Sequence, residues 1–303
     1  MAKLEIIKPS ELYNILNQKF THAFISDPCY CVLFDSRTAD DYNKSHIITA
    51  KNLKRLNDCS FRIPYEAELD CIWNLIVYDG NTSSLDSEAD AVRAAKLLRD
   101  NGSRNLVKIL EVLYLGGFET FTRLYPYMRS DKIMYLPREL ESFSTYPLEV
   151  LPNVLYIGTI QHASDRKLHR QMNIVAHINY ALDNDDPIYQ NCKDSMFNIQ
   201  PSDNGELLSF LDDVCDFIQE KRLRGHCVLI VSNQIFNQSI VIAIAYLIKY
   251  EMMSLKNAWM YLRKICIPMQ PSWNFMIQLA EFEYQLQRTD KVIPLTEDEY
   301  YDR

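Results

Sequence analysis

Residues 228–248, VLIVSNQIFNQSIVIAIAYLI, place the tightest constraint on how this 303-residue chain folds. The run Val228-Leu229-Ile230-Val231 is uniformly apolar, which predicts a strand buried on both faces rather than one with a wet side. A short polar interruption follows, then an apolar stretch containing Ala245-Tyr246-Leu247 that predicts a helix. A buried strand feeding a helix through a tight loop is the repeating step of an α/β protein with parallel strands. The loop of such a unit also suits an anion, because backbone N–H groups converge at the helix start and the helix dipole adds positive potential there.

The first half of the chain shows the same alternation. Cys31-Val32-Leu33-Phe34, Leu75-Ile76-Val77-Tyr78 and Val107–Leu110 are short apolar runs of buried-strand type, while Ala89–Leu98 carries apolar residues at helical spacing. Between about Arg129 and Glu149 the pattern lapses into polar, Pro-containing sequence. A second series then runs to helices over Leu255–Ile265 and Pro271–Gln287. The predicted organisation is a first α/β domain at 1–128, a linker at 129–149, a second domain at 150–288 and an acidic tail, TDKVIPLTEDEYYDR, at 289–303 that frays.

A chain of this length with 48% apolar residues has material for two cores. A net charge of −8 and a pI near 5.3 argue against nucleic acid or anionic membrane as the main partner. The start, MAKLEIIKPSELYNIL, lacks a signal-peptide core, and no apolar run is long enough to cross a bilayer, so a cytoplasmic protein is expected, with nucleus and mitochondrion left open. The eight cysteines are scattered, with Cys29 and Cys31 too close together to look like half of a zinc site, so reduced intracellular thiols are expected. His46, His177 and His226 have no carboxylates or thiols at ligand spacing; neither a metal nor a cofactor is expected.

In its second half the chain resembles the cysteine-dependent dual-specificity phosphatases. Leu155-Tyr156-Ile157-Gly158, Asn173-Ile174-Val175-Ala176-His177-Ile178-Asn179, Phe275-Met276-Ile277-Gln278-Leu279 and Glu281-Phe282-Glu283 fall where that family has counterparts. There the buried strand ends in His-Cys, and the loop that follows closes on Arg and Ser. Aligned on Ala245-Tyr246-Leu247, Val231 stands at the His, Ser232 at the nucleophile, Ile235 at the mid-loop Gly, Gln238 at the Arg and Ser239 at the Ser. The vestigial phosphate loop is thus Ser232, Asn233, Gln234, Ile235, Phe236, Asn237, Gln238 and Ser239.

Each replacement has a chemical consequence. A serine hydroxyl is a weak nucleophile without an adjacent base, and Val231 and Asn233 supply none. Gln238 offers a neutral amide in place of a charged fork that grips two phosphate oxygens. Ile235, β-branched, disfavours the positive φ angles that glycine permits. Asp203 stands at the general-acid position, where it has no step to assist without a nucleophile; an ordinary aspartate in the turn Pro201-Ser202-Asp203-Asn204 is the other reading. His226-Cys227 imitates the phosphatase dipeptide, but the apolar run follows Cys227 instead of preceding it, so Cys227 is read as the start of the buried strand.

The first half resembles a rhodanese-like domain. Leu33-Phe34-Asp35-Ser36-Arg37, Asp41-Tyr42, Ser45-His46-Ile47 and Gly116-Gly117-Phe118 reproduce that family's motifs in order. In active members the strand corresponding to Leu75–Tyr78 leads to a cysteine that carries sulfur. Asp79 occupies that place here; a carboxylate cannot be persulfidated and repels an anionic sulfur donor. The Val-Tyr-Asp strand end resembles the non-catalytic, CH2-type rhodanese-like domain of MAP-kinase phosphatases.

Together the halves resemble MAP-kinase-phosphatase-like pseudophosphatases. That resemblance implies an inactive regulatory or scaffold protein whose partners are signalling proteins: MAP kinases, active phosphatases or phosphorylated proteins. A phosphopeptide-binding module and a weak hydrolase with a non-standard nucleophile remain alternatives. It also implies that Lys51, Lys54 and Arg55 dock an acidic kinase groove, helical spacing placing them on one face with Leu53 and Leu56; a solvated helix face accounts for the same charges. Tyr300 and Tyr301, in acidic sequence, are read either as phosphate acceptors or as an unmodified disordered end.

Overall fold

The computed structural model describes residues 3–19, 23–57, 60–62, 69–80, 82, 84–85, 88–100, 107–110, 117–134, 139–140, 143–180, 195–199, 207–232, 237–265, 271–287, 295–297 and 300, without the side chains of residues 57, 232 and 237. They fall into two compact units, Met1–Thr145 and Tyr146–Arg303.

The first unit runs β1 (Leu4–Ile7), α1 (Pro9–Asn17), β2 (Cys31–Asp35), α2 (Ala39–Lys44), β3 (His46–Ile47), β4 (Lys51–Asn52), β5 (Arg55–Asn57), β6 (Ser60–Phe61), β7 (Asn74–Tyr78), α3 (Asp90–Asp100), β8 (Val107–Leu110), α4 (Gly117–Leu124) and β9 (Arg129–Ser130). Its main sheet has the order β1-β8-β7-β2-β4 and is parallel throughout. β7 lies at its centre, and all five of its residues are buried, as an apolar run without alternation requires. The helix expected near Ala89–Leu98 is α3. Ala91, Val92, Ala94, Ala95 and Leu98 form its buried stripe against Leu75, Val77, Val107 and Ile109.

The second unit runs β10 (Leu148–Leu151), β11 (Leu155–Gly158), α5 (Ile160–Ser164), α6 (Arg166–Met172), β12 (Ile174–Tyr180), β13 (Met196–Ile199), α7 (Leu208–Leu223), β14 (Cys227–Ser232), α8 (Asn237–Tyr250), α9 (Leu255–Ile265) and α10 (Trp273–Gln287). Its sheet has the order β10-β11-β14-β12-β13, antiparallel only at β10. β14 is central, and Val228 to Val231 are fully buried. From Ile240 to Ile248 every side chain of α8 is buried, because the helix is enclosed by the sheet and by α7, α9 and α10. Among the described residues no helix is long and apolar enough to cross a membrane.

Three expectations need correction. The stretch read as a linker gives up both ends: β9 pairs with β3, and β10 opens the second sheet. Backbone pairing over-rode the polar composition there. Of the tail expected to fray, residues 295–297 and 300 are described, and Leu295 and Tyr300 are buried in the core of the second unit. Finally, Lys51, Lys54 and Arg55 lie on no helix. Lys51 is in β4, paired in register with Phe34, and Arg55 is in β5, paired with Phe61. Leu53 N–H bonds Asp35 O, which draws the segment into the sheet, and Leu53 turns inward while Lys51, Lys54 and Leu56 are exposed.

His177 of β12 and His169 of α6 form a buried pair that the sequence reading missed. Their Nε2 atoms are 2.7 Å apart, and His169 Nδ1 lies 2.6 Å from Asp165 O. A carbonyl only accepts, so His169 carries its proton on Nδ1 and takes one from His177 Nε2–H. His177 Nδ1 is then a buried acceptor with no hydrogen-bond partner among the described residues. Burial, reinforced by His169, pushes the His177 pKa down to about 3, and burial also lowers that of His169. A lowered folded-state value means that the unfolded chain binds the proton first, so stability is lost as pH falls from 6.5 toward 3. The unfolding free energy from urea denaturation should fall between pH 6.5 and 5 with a slope of up to about 1.4 kcal/mol per pH unit from this site. His177→Gln should flatten that slope; an unchanged slope would show that the pair is not the titrating group.

Candidate functional site

In the first unit, Asp79 follows β7 at the sheet's C-terminal edge. Its carboxylate is buried and accepts from Thr82 N (2.8 Å), Thr82 Oγ1 (2.7 Å) and Ala91 N (2.9 Å). The last of these bonds ties the residue to the first turn of α3. Asp79 therefore closes the loop that follows it through three donors, a structural role for this side chain. The cleft beside it holds about 610 Å³ and is lined by Arg37, Asp41, Arg55, Glu88, Asp90 and Glu119, among others.

The two arginines of that cleft are already engaged. Arg37 grips the fully buried Asp35 through Nε (3.0 Å) and Nη2 (2.6 Å), donates to Ser45 O (2.7 Å) and lies 3.6 Å over the Phe118 ring. Tyr78 Oη donates to the same carboxylate at 2.7 Å and accepts from Ile47 N. The Asp35-Ser36-Arg37 motif is thus an internal lock joining β2, β3 and β7. Arg55 pairs with Asp90 and donates to Ser36 O at 3.0 Å, so it faces the cleft rather than an outside groove. Lys51 and Lys54 are exposed, and Lys54 makes no ion pair among the described residues.

In the second unit, β14 carries Ser232 to the C-terminal edge of the sheet, with Val231 opposite Gly158 and Ser232 opposite Tyr180. Helix α8 begins at Asn237. Asn233, Gln234, Ile235 and Phe236 lie outside the described residues, as do Asp203 and Tyr301. Gly158 is required where it stands: a Cβ there would come within 2.8 Å of His162 Nδ1, which accepts from Thr159 N. Ser239 is fully buried in the first turn of α8. Neither its Oγ nor Gln238 Oε1 has a hydrogen-bond partner among the described residues, and the loop before them lies outside those residues.

Cys227 begins β14, is 3% exposed and donates its thiol to Asn153 O. Burial, with a contribution from Glu149, pushes its pKa up to about 11, and burial raises that of Cys215 in α7 further. Neither thiol is ionised at neutral pH, so neither is a nucleophile.

Residues 155–285 match the family model described as dual specificity phosphatase, catalytic domain. The second unit has the dual-specificity phosphatase fold. The chain is 27% identical over 279 residues to human dual specificity protein phosphatase 16, covering 84% of this chain and 41% of that protein. It is also 24% identical over 177 residues to a probable rhodanese domain-containing dual specificity protein phosphatase of Dictyostelium discoideum, covering 58% of this chain and 37% of that one. It therefore spans about two fifths of the length of these curated relatives. Among solved structures, human tyrosine phosphatase-like serine/threonine/tyrosine-interacting protein is 21% identical, with a TM-score of 0.41, covering 46% of this chain and 97% of that one. The first unit is a parallel α/β domain preceding the one with the dual-specificity phosphatase fold, an order that accords with the rhodanese domain named in the Dictyostelium relative.

Proposed function

We propose that this chain is a catalytically inactive pseudophosphatase of the MAP-kinase-phosphatase-like, serine/threonine/tyrosine-interacting type, acting as a regulatory binding or scaffold protein. The carrying observation is the position of Ser232 at the exit of a central parallel strand, immediately before the loop and helix that hold phosphate in the fold. The strand and helix are kept, while sulfur at Ser232 and guanidinium at Gln238 are missing. The described thiols of the unit support this reading, being buried and protonated. Purified protein should leave p-nitrophenyl phosphate and phosphotyrosine peptides untouched; turnover abolished by Ser232→Ala would sink the proposal.

The partners in this reading are signalling proteins: MAP kinases, active phosphatases or their phosphorylated substrates. Lys51 and Lys54 form the docking surface, with Arg55 held back by Asp90. Charge reversal at exposed rim positions acts mainly on association rate and salt dependence. Lys54→Glu with Lys51→Glu should weaken capture of a MAP kinase and leave Tm unchanged, whereas unaltered capture would remove this surface from the account. The exposed free thiols Cys29 and Cys71 suit a reducing, intracellular compartment. One observation favours the phosphopeptide-binding alternative: the buried Ser239 hydroxyl at the start of α8 has no hydrogen-bond partner among the described residues. Titration with matched phosphorylated and plain peptides separates the two, a phosphate-dependent preference favouring the alternative.

A further inference from the structure

The acidic sequence Thr296-Glu297-Asp298-Glu299-Tyr300 presents its tyrosine inward. Tyr300 is 2% exposed, and its ring stacks on Trp259 of α9 at 5.0 Å and 29° and lies 5.5 Å from Trp273 of α10. Its hydroxyl donates to Pro271 O. The only other buried side chain described in this segment is Leu295. These two buried side chains among the described residues cover far less apolar surface than the helices beneath them, and a segment so held opens more readily than the core. Acidic residues directly before a tyrosine also make the opened segment a fitting substrate for a basic kinase cleft.

We propose that Tyr300 is a phosphorylation site and that its phosphate ejects the ring from the Trp259–Trp273 slot. In the transfer, a bond forms between Tyr300 Oη and the γ-phosphorus of ATP, the bond from that phosphorus to the bridging oxygen breaks, ADP leaves, and the hydroxyl proton passes to the kinase's base. The product cannot return. The phenolic oxygen has lost the proton that it donated to Pro271 O, and a group with a charge near −2 faces a carbonyl acceptor in a place closed to water. The slot is then open to an aromatic side chain from another protein, which would take the stacked position that Tyr300 leaves.

The test uses the full chain carrying Trp73→Phe, since Trp73 is 68% exposed and the two tryptophans that remain flank Tyr300. A tyrosine kinase that prefers acidic residues before its target, with ATP, should add one phosphate that mass spectrometry maps to Tyr300. The phosphorylated chain should show red-shifted tryptophan emission and lose protection from acrylamide, with a cooperative melting transition retained. Tyr300→Phe keeps the ring and should stay protected, while Tyr300→Glu should behave like the phosphorylated chain. Should Tyr300→Glu fail to fold, the phosphorylated chain decides. Phosphate at Tyr300 with unchanged quenching overturns the proposal, as does failure of the kinase to modify Tyr300 in the chain when it modifies a peptide of the same sequence.

Discussion

Ser232→Cys by itself should leave hydrolysis of p-nitrophenyl phosphate within a few-fold of background, on the physical ground that a thiolate without its phosphate clamp has nothing to attack in the right geometry. A charged donor aimed at the transferring oxygens is worth on the order of 10²–10³ in rate when removed from an active enzyme. Gln238→Arg should restore a factor of that size, and only in the presence of Cys at position 232. Ile235→Gly should add to it by letting the loop take the positive φ angles that a β-branched side chain resists. In the triple variant, Asp203 acquires a leaving oxygen to protonate, so Asp203→Asn should then cost roughly 10²–10⁴-fold, the usual scale for a general acid. Steady-state kcat/KM across the series checks these points. If Ser232→Cys alone matches the triple variant, the account built on the missing arginine fails.

The second large effect is on stability. Asp79→Cys places the sulfur-carrying residue of active rhodaneses into the first unit, and it should yield a weaker fold with no sulfurtransferase activity. Thr82 N, Thr82 Oγ1 and Ala91 N lose their shared acceptor. Each buried donor left unmet costs about 1–3 kcal/mol, and the Thr82 hydroxyl is the one most able to turn elsewhere. A loss of roughly 3 kcal/mol lowers the melting temperature of a domain this size by on the order of 10 °C. Activity stays absent because Asp41, Glu88, Asp90 and Glu119 line the cleft while Arg37 and Arg55 are neutralised by Asp35 and Asp90. Asp79→Asn, which keeps one accepting oxygen, should lose less. Calorimetry and a thiosulfate assay read both outcomes; a Cys variant as stable as the parent would show that the three bonds close nothing that matters.

Much of this was legible in one dimension, for identifiable reasons. Parallel strands buried on both faces must be apolar throughout, so β7 and β14 stand out at Leu75–Tyr78 and Val228–Val231 without any structure. Residue type at a fixed place is equally visible, and Ser232, Gln238 and Asp79 are the residues on which the proposed inactivity rests. Cys227 was separated from the nucleophile by the order of strand and cysteine alone, and the structure places it at the first position of β14.

What sequence by itself determined was therefore the two α/β series, the strand–loop–helix unit and the residue types at its loop, all properties of neighbours along the chain. Only the tertiary structure decided the rest. It put Lys51 and Arg55 on extended backbone, because their partners Phe34 and Phe61 are chosen by sheet assembly and not by local spacing. It brought His169 against His177 and Tyr300 between Trp259 and Trp273. Such contacts join residues whose separation in sequence carries no periodic signal, and burial of aromatic and imidazole rings against one another outweighs the acidic or polar composition around them.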